Sequence, residues 1–448
     1  MKQNMTSKVE HSLTVGADEP VLLQDTTLHE TLETFVNEKI LERAVHVKGY
    51  GAFGYFRCTR SMKAYTKACF LQREGQITRT FSRFSLAVST KGTPDTSRNV
   101  RGFSTKFYLG DKIFDLLCNH IPVFLVRDAI KFPRAIKSLS PSPINNLPDP
   151  EAFWCFVAEN PEAMHFLTWL YSDLGTLDNL RCMRAYGVNT YIWVNTQEKR
   201  YCVKYHMIPV AGTKTIDRKE AIRLAGDNPN IAGEDLYKTL AGGKTVEYDF
   251  CVQLIPLEEA ASIKFDIFDD TKVWSEEDYP LIKVGRLTLE KNPDDYETQV
   301  EKAAFSPANL IDGIELSKDK MLQGRSFIYW DAQRRRLGPE FRKIPVNSQK
   351  CWTPDNLVTS GEGISINGEI QRSEIPNPDN FSQAGEHYLS LCEEQKEHLI
   401  DNIASELYQA ASPVKSCILK YLYQSYIGLG SGVEEKMLYY QNQSRNRR

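Results

Sequence analysis

No two cysteines in this chain stand as Cys-x-x-Cys; ten occur singly, from Cys58 to Cys417. That pattern suggests neither a zinc site nor a disulfide framework, and Cys155, Cys202 and Cys251 fall in apolar segments, as buried thiols do. No apolar run approaches the roughly 18 residues of a membrane span, and the densest, Ile121 to Val126, is strand-sized. A net charge of −3 gives no basis for nucleic-acid binding through bulk electrostatics. Glycine fingerprints for dinucleotides or phosphates and a CxxCH attachment motif are missing, so a redox cofactor would have to be held non-covalently. The polar N-terminus lacks the apolar core of a signal peptide, and Asn446-Arg447-Arg448 is not a peroxisomal Ser-Lys-Leu address. The expectation is a cytoplasmic, reduced protein without internal repeats.

At 448 residues and 41% hydrophobic, the chain can bury a substantial core. Residues 1–25 read as a polar arm. Leu28, Leu32, Phe35 and Val36 have helical spacing after a possible cap at Thr26 or Thr27. Short apolar runs follow, including Phe103 to Phe107 and a strand over Pro122 to Val126. Asp149-Pro150 opens a helical stretch to Leu170. Strand-like runs cover Thr190 to Val194, Tyr201 to Met207, Thr245 to Leu254 and Ile263 to Phe268, with a helical insert from Lys214 to Leu240. Short strands between turns favour an antiparallel sheet or barrel over a doubly wound fold. Pro339 to Asn380 is proline-rich and without periodicity, which suits a segment lying along a surface or wrapping a partner. Helical spacing returns from Phe381 to Tyr426. This gives an α+β chain: a barrel with helical inserts over 26–291, a helix and wrapping segment over 292–378, a helical region over 379–430 and a flexible tail over 431–448.

Around Leu41 to Phe56, Val45, Val47 and four aromatics suit an extended segment, here read as a strand carrying His46. Gly49, Gly51 and Gly54 mark bends or the close approach of another body. A lone histidine among valines is most often a packing residue, whereas its functional reading is proton transfer near neutrality. Here Glu42-Arg-Ala-Val-His46-Val-Lys-Gly49 followed by Gly51-Ala-Phe-Gly-Tyr-Phe56 resembles the distal-histidine signature of the haem catalases. Arg325-Ser-Phe-Ile-Tyr329-Trp-Asp-Ala-Gln333 is similar to the family's proximal signature, whose tyrosine binds haem iron. Independently of the family, 318–337 reads as a helix stopped by Gly338-Pro339. Arg325 and Tyr329 are one turn apart on it, and a guanidinium beside a phenol favours phenolate.

Asp115 to Asp128 resembles the stretch that lays an asparagine over the haem. Asn119 fits that role, since an amide can donate to a peroxide oxygen without competing for its proton. His120 and Cys118 depart from the family's usual asparagine and glycine. The resemblance further implies that Arg43, Arg83 and Arg336 hold propionates, that Ser85 orients the imidazole, and that Val45, Phe124, Phe132 and Arg325 line the haem site. It extends from about Val21 to Tyr426 and implies haem b, hydrogen peroxide as substrate, a homotetramer and the small-subunit type. It also implies a reaction through an oxyferryl species that a second peroxide reduces. Leu174 and Glu276 stand where NADPH-binding members carry arginine and histidine, which counts against NADPH. Two alternatives stay open: a catalase-like allene oxide synthase, although those carry threonine where this chain has Val45, and a non-catalytic haem-binding barrel.

Overall fold

A computed structural model describes residues 13–14, 25–37, 40–110, 112–348, 372 and 379–446. Its described residues hold ten strands: β1 Gly49–Cys58, β2 Ile77–Leu86, β3 Arg101–Leu109, β4 Lys112–Asn119, β5 Ala185–Tyr186, β6 Tyr191–Val194, β7 Arg200–Pro209, β8 Val246–Pro256, β9 Ile282–Lys291 and β10 Ile314–Leu316. The order β7-β5-β4-β3-β2-β1-β9-β8 is closed by a pairing of β7 with β8, giving an eight-stranded antiparallel barrel; β6 and β10 extend it beside β7. Closure leaves no edge among the eight.

Period-2 alternation divides the wall into two faces. Phe56, Phe84, Phe103, Phe107, Phe114, Tyr205 and Phe250 fill the interior together with Phe70. Burying each phenylalanine contributes about 1.5–3 kcal/mol. On the outer face of β1 to β4, antiparallel register aligns Gly49, Ser85, Gly102 and Asn119 in one row and Gly51, Arg83, Ser104 and Leu117 in the next. Five of these eight residues are glycine or serine, so that stretch of wall is nearly bare.

Eleven helices lie among the described residues: α1 Thr26–Asn37, α2 Phe132–Leu139, α3 Pro150–Glu159, α4 Met164–Tyr171, α5 Arg218–Asp227, α6 Ile231–Ala241, α7 Lys320–Leu337, α8 Ser382–Ser390, α9 Glu393–Leu407, α10 Ser412–Ser425 and α11 Ile427–Asn446. None is long and apolar enough to cross a membrane. Helices α2 to α4 and α8 to α11 share a second core with Ile121, Val123, Leu125 and Val126. A buried cross-strand pair, Lys106 to Asp115 at 3.0 Å, ties the barrel to the segment after β9, because Asp115 also accepts from the Ser306 N–H and the Asn309 amide. Each such bond to a buried charge is of the stronger kind.

Several expectations need correction. His46 is not on a strand: β1 begins at Gly49, and His46 has φ of 62°, a left-handed conformation in which it cannot continue a ladder. Pro122 to Val126 is a run of bends, since Pro122 has no N–H to give a ladder and the apolar side chains pack against helices instead. Ile263 to Phe268 is also irregular; the Asp266 carboxylate accepts from the Phe268 N–H and sets a turn. Residues 431–446 are helical rather than a flexible tail, because Val433 and Met437 are buried against α9 and its neighbours. The Lys214 to Leu240 insert is two helices broken at Pro229, and the Asp149 to Leu170 stretch breaks at Pro161. Most of the arm, and the run from 349 to 378 apart from Arg372, lie outside the described residues.

Candidate active site

The bare face of β1 to β4 forms one wall of a cavity of about 640 Å³. His46 hangs over it from the segment entering β1. Its backbone N–H donates to the Ala87 carbonyl at 2.7 Å, and Arg83 donates to the carbonyls of His46 and Val47 at 3.0 Å each. Those bonds replace the ladder and hold the left-handed turn. The ring Nδ1 lies 2.9 Å from Ser85 Oγ. Among the described residues Nε2 has no protein partner and is left to the cavity. A methyl group on Gly102 would sit 2.9 Å from the imidazole Nδ1 and Cε1 and from Ser85 Oγ, so glycine there makes room for the ring and its hydrogen bond. Burial first, then the charges of Arg83, Arg325 and Arg43, push the His46 pKa down to about 3. The imidazole is therefore neutral at pH 7, able to accept a proton. Val45 lines the cavity beside it, and so does Asn119 at the end of β4, with an amide free of protein partners among the described residues.

His120 has no such freedom. Its Nδ1 accepts from the Arg101 N–H at 3.0 Å, which fixes the ring proton on Nε2, donated to the Leu174 carbonyl at 2.8 Å. It is a satisfied, buried structural histidine.

At one margin of the cavity three arginines converge on residues 300–303. Arg43 donates to the carbonyls of Val300, Glu301 and Ala303, and Arg336 to those of Glu301 and Ala303. Glu301 Oε2 lies 3.0 Å from Arg43 and 4.0 Å from Arg83. Among the described residues no other carboxylate comes within ion-pair distance of the three. Burial draws Arg83 and Arg336 down to about 9, which leaves both charged at neutral pH. Three guanidinium charges thus face one carboxylate, and two positive charges remain unbalanced in a largely buried setting. Buried unpaired charge is costly, so the site calls for an anion carrying two negative charges.

Another part of the lining comes from α7. The Asp319 carboxylate caps it by accepting from the Leu322 N–H, and Gly338, at φ 83°, ends it as expected. One helical turn brings Arg325 to Tyr329, with Nη2 donating to the phenol oxygen at 3.1 Å. Arg325 is held in turn by Asn189, whose Oδ1 accepts from Nη1 at 2.5 Å and whose Nδ2 donates to Asp319 at 2.9 Å. Phe124 stacks on the Arg325 guanidinium at 5.0 Å. Phe132, at the start of α2, lines the same cavity.

The eleven residues that the sequence assigned to the haem site all line this one cavity, the His46 imidazole and the Tyr329 phenol among them. The pocket fits an iron porphyrin. Its barrel wall is flat and nearly bare, its unbalanced charge matches two propionates, and a phenol beside a buried guanidinium is a suitable oxygen ligand for ferric iron. Gly102, Ser104, Asn189 and Glu301 were missed. Only the glycine carried a signal, and reading it needed the strand register. Glu276 pairs with Arg184.

A family model described as catalase matches residues 2–376, and one described as catalase-related immune-responsive matches 374–437. A catalase of Methanosarcina barkeri is 39% identical over 91% of this chain and 87% of its own length, and catalase A of Pseudomonas putida 37% identical over 95% of each. A peroxisomal catalase of Toxoplasma gondii is 38% identical over 93% of this chain and 90% of its own. Among solved structures, a bacterial catalase superposes with a TM-score of 0.91 at 32% identity, covering 97% of this chain and 94% of the other. Catalase A of Saccharomyces cerevisiae gives 0.90 at 31% identity, covering 95% and 96%. With the family model spanning more than half of the sequence and the barrel superposing throughout, this chain belongs to the catalase family and is an enzyme that dismutates hydrogen peroxide to water and dioxygen.

Proposed function

We propose that haem b lies between His46 and Tyr329, and that His46 and Asn119 handle the peroxide while Tyr329 is the iron ligand. The observation that carries this is the meeting, in one cavity, of a neutral imidazole, a phenol held by a guanidinium and two unbalanced positive charges. Arg43, Arg83 and Arg336 would hold the propionates. When bound, the haem supplies the two-electron redox chemistry.

The protein's own part is proton handling and orientation. Ser85 fixes the ring so that Nε2 faces the substrate. His46 Nε2 would accept the proton of the inner peroxide oxygen and return it to the outer oxygen, so that this oxygen can leave as water, with the two electrons that O–O cleavage consumes supplied by the haem when bound. The Asn119 amide donates to that outer oxygen as negative charge builds on it. Arg325 donates a hydrogen bond to the Tyr329 oxygen and holds it in place, and Asn189 couples Arg325 to Asp319. Val45, Phe124 and Phe132 exclude water, which strengthens each of these interactions.

Small-subunit type, homotetramer and cytoplasmic residence belong to the same proposal. The first is supported by a match over 95% of the Pseudomonas putida enzyme's length. Exposed Ile130 and Phe327, at 75% and 77%, support an interface between copies. Nine described cysteines, all free thiols, suit a reducing compartment. An ion-paired Glu276 and an apolar Leu174 argue against NADPH. Oxygen release from hydrogen peroxide tests the central part. Loss of nearly all release in His46→Ala supports it, whereas release at the parent rate refutes the assignment.

A further inference from the structure

Glu301 belongs to none of the roles above. It ends the only π-helical turn among the described residues, Glu297–Glu301. Such turns are rare and are frequent at functional sites. Its carboxylate is buried at 1% exposure and touches two guanidinia, at 3.0 Å for Arg43 and 4.0 Å for Arg83. Desolvation would raise its pKa, but Arg43 and then Arg83 more than offset this and hold it below the usual glutamate range. It is therefore a fixed negative charge. The ion pair with Glu301 is not needed to fix Arg43, which is already anchored on three backbone carbonyls. Arg336, anchored on two carbonyls and on Gln333, has no carboxylate partner among the described residues. Glu297 acts on Arg43 and Arg336 from further away, outside ion-pair distance.

The charges count out simply. Three guanidinia without Glu301 would present three positive charges to a macrocycle carrying two carboxylates, leaving one buried charge uncompensated. With Glu301 the cluster presents two. We infer that Glu301 is a resident counter-charge that matches the arginine cluster to a dicarboxylate porphyrin and sets the electrostatic potential felt at its metal. It is a positioning residue, acting through Arg43 and Arg83, and the inference rests on the haem site proposed above.

Two properties of the haem-loaded enzyme test it: the ferric/ferrous midpoint potential, and the rate at which haem passes to an excess of an apo-globin acceptor. Glu301→Gln keeps size and hydrogen-bonding capacity but removes the charge. Its extra positive charge disfavours ferric iron, so the midpoint moves to more positive potential, and the propionates are held more strongly, so haem loss slows several-fold. Glu301→Asp keeps the charge and returns both properties toward the parent. A purely structural tether predicts the opposite: faster haem loss in Glu301→Gln with the midpoint unmoved. That result overturns the inference, as does a Glu301→Asp variant whose midpoint departs as far as that of Glu301→Gln. Should Glu301→Gln fail to fold, Glu301→Leu, which also removes the charge, takes its place in both measurements with the same two outcomes. A parent protein that takes up no haem contradicts the haem site itself, which separates that failure from this one.

Discussion

Gly102→Ala tests how tightly the His46 imidazole is held. The added methyl group would lie 2.9 Å from two imidazole atoms and from Ser85 Oγ. Carbon contacts settle at about 3.5–4.0 Å, so ring or hydroxyl must retreat by roughly 0.6–1 Å. The ring cannot swing freely, because its backbone is fixed by the Ala87 and Arg83 bonds and its Nδ1 by Ser85. Misplacing a reacting group by about 1 Å costs on the order of 100-fold in rate, while overpacking costs about 1–3 kcal/mol of stability. Oxygen-electrode kinetics on haem-loaded Gly102→Ala should show kcat falling about 10- to 100-fold, with urea unfolding still cooperative. Ser85→Ala removes only the orienting bond and should lose less. If Gly102→Ala keeps the parent kcat while its stability drops, the bare wall is a packing feature, and the account of how His46 is positioned fails.

Asn119→Ala should lower kcat by about 10²-fold with little change in haem content, since one donor is removed from the developing charge; unchanged kcat in peroxide assays would remove its assigned role. Tyr329→Phe should retain less haem per chain and alter the absorption spectrum; an identical spectrum and haem content would refute the ligand. Asn189→Ala strips Arg325 and Asp319 of their shared partner and should cost about 1–3 kcal/mol in urea unfolding; no loss would make that contact incidental. Burial pushes His165, His206 and His387 down to about 3 from an unfolded value near 6.5. Between those values the unfolded chain binds more protons, so stability falls as pH drops below 6.5, these three contributing at most about 4 kcal/mol per unit and the buried His46 and His120 adding in the same direction. Asp270, whose pKa burial raises, works in the opposite direction. Urea midpoints that stay level from pH 7 to pH 5 would contradict this.

Much of the site was legible because its residues sit in short local patterns: Arg43 with His46, Arg325 with Tyr329, and a helix stop at Gly338. Pairing across strands was not. Gly102 and Ser104 matter only because register sets them beside Ser85 and Arg83, and one sequence carries no direct record of register. Glu301 and Asn189 act on Arg43, Arg325 and Asp319 across 130 to 258 residues, so nothing in their neighbourhoods marked them. The flanking glycines did signal close approach, and at Gly49 the approaching bodies are the Phe84 carbonyl and the Arg83 guanidinium. Period and length misled at Pro122 to Val126, where an apolar run buried against helices looks like a buried strand. The polar composition after Tyr440 likewise concealed a helix, whose buried residues lie earlier, at Leu429, Val433 and Met437.

Resonance Raman spectroscopy of the ferric, haem-loaded protein tests the central claim most directly, namely that Tyr329 holds the iron on the face opposite His46. Excitation into the iron–phenolate transition should bring up tyrosinate ring modes that persist in His46→Ala and vanish in Tyr329→Phe. Modes absent from the parent protein, or undiminished in Tyr329→Phe, would contradict the arrangement.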